Sequence, residues 1–211
     1  MIGNRALHWG ALLEVAIALA LLEAALWTLN QPQVVTGFVM LAWVMAATIL
    51  SGRSTRELGI SGTGFRAELW IVPAALGIGC LMVLGSGAAG LLHVLYGART
   101  PIWHAILYAV WALVQQFLTQ SFIFVRLEDV TGSPRRAVLT TAAIFCLAHL
   151  PNPVLMPATF LMGLASSELF RRYRNIYPLA IAHAVLGLAL AVSLPEAVTR
   201  HMRVGMAYWV R

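Results

Sequence analysis

Seven runs of apolar residues divide the chain, near 8–29, 34–51, 69–96, 102–126, 136–150, 154–170 and 176–195. Turn-forming or charged positions separate them. A membrane-spanning helix needs about 20 mostly apolar residues, and most of the runs meet that length. The fifth is shorter and is ended by Pro151 and Pro153, which cannot continue a helix. The sixth follows at once, so the two are expected to form a tight antiparallel pair. The pattern predicts an all-α, polytopic transmembrane helical bundle of about seven spans, with residues 1–211 forming a single integral membrane domain.

Composition sharpens that reading. Hydrophobic residues make up 60% of the chain and charged residues only 10%, against about 25% charged in soluble domains. The net charge of +6 comes entirely from arginine, since the chain has no lysine. Such a charge could suggest nucleic acid in a soluble protein. Here the arginines fall in short loops between apolar runs, so nucleic acid is excluded and membrane lipids are the expected contacts. Arg5, Arg53, Arg56, Arg66, Arg126, Arg135, Arg136, Arg171, Arg172 and Arg174 lie on one side of the predicted bundle. Arg99, Arg200, Arg203 and Arg211 lie on the other. The positive-inside rule then places the N-terminus in the cytoplasm and the tail outside, with the bacterial inner membrane as the expected location. The first run is too long for a signal-peptide core and is read as a retained helix. Cys80 and Cys146 both lie within apolar runs, which argues against a disulfide framework.

Polar residues inside such runs are costly, which makes them functional candidates, with interhelical hydrogen bonding as the structural alternative. Gln115, Gln116, Thr119, Gln120 and Ser121 share the fourth run, His149 ends the fifth and His183 lies in the seventh. Gln115, His149 and His183 stand eleven, thirteen and seven residues from the cytoplasmic ends of their helices. These are depths of roughly 16, 20 and 10 Å in a core of about 30 Å. Gln116 and Gln120, four apart, share a helix face. A polar cavity between the fourth, fifth and seventh helices is the expected result. Glu14 and Glu23 lie in the first run on opposite faces, so one is expected to face the bundle and the other an interface.

Other features have plainer readings. Two histidines without a third strong ligand make a poor metal site, so neither metal nor cofactor is expected. Ser121, Ser166 and Ser167 have no neighbouring base that the sequence can place. Glu168 and Arg172 are spaced for an i, i+4 ion pair. The glycines of the third run (Gly77, Gly79, Gly85, Gly87 and Gly90) are expected to allow close helix packing. Trp27, Trp103 and Tyr108, with His93 and His104, suit an interfacial belt. The polar stretch from Gly52 to Ile60 reads as a cytoplasmic turn.

Phe145-Cys-Leu-Ala-His149 and the later His183, in this order and spacing, resemble the CPBP family of CAAX prenyl endopeptidases and bacteriocin-processing membrane proteases. That family carries Glu-Glu-x-x-x-Arg on one helix, Phe-x-x-x-His on the next and His-x-x-x-Asn, Asp or Ser on a later one. The approach from Phe170 to Ala182 and the Glu57-Leu-Gly59-Ile segment are also similar, and the likeness covers residues of about 100–190. It implies a CPBP-type helical core and peptide hydrolysis within the membrane. A glutamate with a histidine would activate water, while the later histidine and asparagine steady the oxyanion.

This chain departs from the pattern at the acids. Gln115-Gln116 stands where the family has its glutamates, Gln120 stands at the arginine position, and Gly187 at the asparagine position. Glutamine can orient a water but cannot take its proton. The resemblance therefore assigns Gln115, Gln116, His149 and His183 to the catalytic positions and Gln120, Phe145 and Gly187 to substrate contacts. Three readings stay open. One is an endopeptidase with a substitute base, either His149 or a carboxylate from Glu14, Glu23 or Glu168, acting on a peptide or prenylated protein. Another is a non-catalytic relative that binds a lipid or peptide. The third is a structural subunit beside a partner membrane protein.

Overall fold

The computed structural model describes residues 2–93 and 101–210, and it is all-helical over them. The sequence-predicted end of the third run (94–96) and the positions of Arg99 and Arg211 lie outside the described residues. Each of the seven predicted runs carries a helix among the described residues, although fewer than seven of these helices are long and apolar enough to span a membrane. The first two are α1 (Ile2–Leu26) and α2 (Asn30–Leu50), paired through a three-residue turn. A one-turn helix, α3 (Phe65–Glu68), leads into α4 (Ile71–Ala88). Next comes α5 (Pro101–Gln116), which continues through a π-helical segment (Phe117–Phe124) into α6 (Val125–Thr131). Then α7 (Pro134–Leu147) and α8 (Leu155–Tyr173) form the predicted antiparallel pair, followed by α9 (Tyr177–Ser193). The tail adds α10 (Glu196–Thr199) and two short 3-10 turns, Arg200–Met202 and Gly205–Tyr208.

Four of these stretches are long and apolar enough to cross a membrane: α1, α2, α3–α4 and α5–α6. A fifth is counted if α9 and the segment Glu196–Met202, bent by 119° at their junction, form one broken span. The chain is an integral membrane protein of four to five such stretches, with α7 and α8 completing the bundle as a hairpin.

Within lipid, helices associate through close packing and hydrogen bonds rather than through water exclusion. The α7–α8 pair shows the first device. A Cβ on Gly163 would come within 2.8 Å of the Ala142 backbone, so only glycine lets these helices approach so closely. In α4, a Cβ on Gly79 would make only ordinary contact, at 3.4 Å, with Val185 and Ala189 of α9. A Cβ on Gly77, Gly85 or Gly90 would meet nothing within 4 Å, so packing accounts for fewer of the glycines of this run than their number suggests.

Hydrogen bonding supplies the second device. Arg126 is 1% exposed, bonds Glu14 of α1 at 2.6 Å, and lies over the Phe122 ring. The Trp43 indole of α2 donates to the Glu14 carbonyl at 3.1 Å. Glu14 thus faces the bundle. Glu23 is exposed and accepts from the Trp27 indole, giving the divided arrangement expected of two acids on opposite faces.

The segment read as a turn is built of turns, and it packs into the bundle. Leu58 and Gly59 are buried; Ser121 donates to the Leu58 carbonyl at 2.6 Å, and the Ile176 amide to Gly59 at 3.0 Å. Gly59 has φ +69, and a Cβ there would run into the Phe170 ring. The arginines of the region, Arg53 and Arg174, pair with Asp129 and Glu128, tying the turn to α6 and α8 to α6.

Candidate functional site: a cavity with two histidines

The three polar clusters of the sequence do converge. A cavity of about 610 Å³ lies between α1, α5, α7, α8 and α9, with Gln115, His149 and His183 in its lining. Its character differs from the polar cavity expected. Leucine, isoleucine, methionine and Trp111 make up most of the wall, and Tyr108, Gln115, Thr119, His149, Thr159 and His183 provide the polar groups. Helical geometry explains the difference. Gln115 and Gln116 are about 100° apart around their helix, so only one of two neighbours can face the same space.

Gln115 lines the cavity, whereas Gln116 is fully buried behind it. The Gln116 amide Nε2 lies 3.2 Å from Nδ1 of His183. An amide nitrogen only donates, so Nδ1 accepts and the His183 ring carries its proton on Nε2. His149 has the opposite arrangement. Its Nδ1 lies 2.7 Å from the Phe145 carbonyl, which only accepts, so Nδ1 holds the proton and Nε2 keeps a lone pair. The cavity is therefore lined by one imidazole able to accept through Nε2 and one able to donate through it.

Phe145 organises both rings. It is buried, its ring meets His149 edge-on at 4.9 Å and His183 at 5.8 Å, and its carbonyl sets the His149 tautomer. The four-residue spacing of Phe145 and His149 is what allows one residue to act on the other's ring, because i and i+4 lie one above the other on a helix. Tyr108, assigned by its position to an interfacial belt, instead lines the cavity edge-on to His183 at 6.4 Å. A Cβ on Gly187 would run into the Tyr108 hydroxyl. The space of a side chain at position 187 is thus filled by Tyr108.

The other candidates lie apart from the cavity wall. Gln120 is fully buried and donates to the Ser166 hydroxyl at 3.0 Å, a helix-to-helix bond. Ser121 bonds Leu58, and Ser167 is buried with no partner among the described residues. Glu168 pairs with both Arg171 and Arg172, the expected i, i+4 bond to Arg172 being 2.7 Å. Among the described residues no carboxylate lines the cavity, and Glu14, Glu23 and Glu168 are each engaged elsewhere. Among the described residues no group of three His, Cys, Asp or Glu side chains could hold a metal.

Residues 98–189 match the family model described as Type II CAAX prenyl endopeptidase Rce1-like. Over this segment the chain is Rce1-like. No curated protein and no solved structure matches the chain. The Rce1-like segment takes in the whole π-helical region, the α7–α8 hairpin and both histidines, and it agrees with the extent expected from the CPBP motifs. The protein is accordingly a protease-like integral membrane protein. The helices α1 and α2 and the tail after Ser193 lie outside the matched segment.

Three residues escaped the sequence reading. Arg126 sits at the end of an apolar run, where arginine ordinarily marks a loop. Glu68 is fully buried, with neither carboxyl oxygen partnered among the described residues, at a point where the sequence shows only the start of a run. Asn152, between two prolines, looks like simple turn punctuation. In the structure it is fully buried and caps α8, its Oδ1 accepting from the amides of Val154 and Leu155 at 3.1 and 3.0 Å. A signal was available for Asn152, since asparagine before an apolar run is an N-terminal cap. For Arg126 and Glu68 none was.

Proposed function

We propose that this Rce1-like protein binds a peptide or lipid carrying a prenyl- or acyl-type chain in its cavity and does not hydrolyse it by the glutamate route. The observation that carries this is the Gln116–His183 bond: an amide stands beside the histidine, and the cavity lining offers no acid. An amide cannot take a proton from water near neutral pH, and general base catalysis needs a group that can. What the site does offer is recognition. The apolar wall suits a hydrocarbon chain, and the His149 lone pair with the His183 N–H suits a head group that both donates and accepts, such as a peptide bond. The N-terminus would lie in the cytoplasm of a bacterial cell, as the arginine distribution implies.

One observation favours a second reading, an endopeptidase with His149 as base. The Phe145 carbonyl leaves His149 Nε2 unprotonated, as a base requires, while His183 Nε2–H and Gln115 could hold an oxyanion and a water.

A fluorescent prenylated CAAX peptide, presented to the full chain in lipid nanodiscs, separates the readings. The binding role predicts saturable binding, weakened by His149→Ala and His183→Ala, with only intact peptide seen by mass spectrometry. Cleavage abolished by His149→Ala would install the second reading. Neither binding nor cleavage would remove both.

A further inference from the structure

The tail beyond α9 closes back over the cavity. After the 119° bend it brings Met202 and Val204 into the cavity lining, and the Gly205 amide donates to the Leu150 carbonyl at 2.6 Å. The backbone that achieves this is unusual. Arg200, His201 and Met202 have φ of 50°, 54° and 60°, three successive side-chain-bearing residues in the left-handed region. Such residues adopt that region singly, not in runs, because the Cβ crowds the following carbonyl. Something outside the run must hold it.

That hold is the side-chain amide of Asn152. Its Nδ2 donates to Thr199 O at 2.8 Å and to Arg203 O at 3.0 Å, the two carbonyls that bracket the left-handed run. Both amide hydrogens are used, and the residue is fully buried. The charged groups of the tail are satisfied within the tail: Arg203 donates to Val210 O, His201 faces Glu196, and Arg200 lies over the Tyr208 ring. Among the described residues, the polar attachments of this tail to the rest of the protein include Asn152 and the Gly205–Leu150 bond, beside the close fit of Gly205 against α1. Gly205 has φ +57, and a Cβ there would run into the Leu26 carbonyl.

From this geometry we infer that residues 196–205 form a latched gate on the cavity, with Asn152 as the latch and Met202 and Val204 as the movable wall. A segment held in a conformation its residues disfavour relaxes when its two anchoring bonds are lost. Its departure would open the cavity at the end where α1 meets the α7–α8 turn. The gate goes beyond the binding role proposed above and does not depend on it.

The test reads cavity accessibility in the full chain without any ligand. Cys80 and Cys146, both free thiols, are replaced by serine and alanine, and Thr159, buried in the cavity wall, becomes the reporter through Thr159→Cys. Labelling by a membrane-impermeant cationic methanethiosulfonate is then timed in nanodiscs. Asn152→Asp is the informative variant, because it keeps the oxygen that caps α8 and removes the two donors to the tail. Gly205→Ala displaces the tail from α1 without touching Asn152, and serves if the first variant does not fold. Labelling at least about tenfold faster in a folded variant is the expected result. Rates within about twofold of the parent in the folded variants would overturn the gate and leave Asn152 a purely structural cap.

Discussion

The side-chain amide of Gln116 and the Nδ1 of His183 are 3.2 Å apart, joining α5 to α9 through two buried side chains. This bond sets the His183 tautomer, and with it what the cavity can donate to a bound group. Gln116→Leu removes the Gln116 donor to Nδ1 and leaves a buried ring nitrogen without it, which costs about 1–3 kcal/mol. A drop in thermal stability of the purified protein, together with weaker binding of the prenylated peptide, is the expected outcome. Unchanged binding would show that the His183 tautomer does not matter to recognition.

If the missing acid alone separates this cavity from a hydrolytic one, Gln116→Glu, alone or with Gln115→Glu, should produce cleavage where the parent has none. Mass spectrometry of the prenylated peptide after incubation reads this directly. A variant that binds the peptide but still leaves it intact would place the loss of hydrolysis in other features, such as Gly187 or Gln120.

Glu14 and Arg126 should prove the strongest single electrostatic link between α1 and the Rce1-like segment. Breaking a buried pair by removing one partner costs about 3–5 kcal/mol. Glu14 is one-third exposed while Arg126 is 1% exposed, so Glu14→Gln should fall at the low end of that range. The exposed Glu23 provides the control, and Glu23→Gln should change stability by no more than about 0.5 kcal/mol. Thermal unfolding in detergent compares the two. Equal effects would contradict the burial argument.

Gly187 and Tyr108 should be coupled. Gly187→Ala drives a methyl group into the Tyr108 hydroxyl, and Tyr108→Phe removes the atom it meets. The double variant should be more stable than the sum of the single changes allows, by about 1 kcal/mol or more. Additive effects would mean that the Tyr108 ring moves aside at little cost.

Glu57 gives a pH dependence outside the membrane. The hydroxyl and backbone N–H of Ser54 donate to its carboxylate, and the Glu57 amide donates back to the Ser54 hydroxyl, a reciprocal cap. These bonds, with Arg53 and Arg174 nearby, hold the Glu57 pKa below its ordinary value. A carboxyl with a lowered folded pKa stabilises the fold above its unfolded pKa of about 4.3 and loses that contribution as pH falls through the folded value. Glu57→Gln should therefore lower the melting temperature slightly at pH 7, with a gap that closes as the pH drops below about 4. A gap that stays constant with pH would remove the ionised carboxylate as the cause.

Much of the site was legible in the primary structure because its parts are local. The Phe145–His149 pair works across one helical turn, and the Glu168–Arg172 bond does the same, so spacing gave the second and a local motif resemblance the first. The apolar runs likewise gave the seven helices and the hairpin of α7 and α8. What spacing could not supply was the direction of each glutamine. Which of Gln115 and Gln116 faces the cavity depends on how α5 is rotated in the bundle, and Gln120 lies where the helix winds as a π-helix, which a repeat of 3.6 residues per turn does not anticipate. Nor could it show Tyr108 filling the space beside Gly187, since the two are 79 positions apart in the chain.

By itself the sequence determined an all-helical integral membrane protein, and its resemblance to the CPBP family pointed to Gln115, Gln116, His149 and His183. Composition and periodicity carry the first and short motifs shared with a family the second, and both hold wherever the helices finally pack. Tertiary structure alone decided that Gln115 reaches the cavity while Gln116 holds His183, that the cavity wall is mostly apolar, and that Arg126 meets Glu14 instead of solvent. It also decided that Asn152 grips a tail some fifty residues further along. Each of these depends on which helix faces stand opposite one another, and that is settled by close packing at glycines and by buried hydrogen bonds between distant segments.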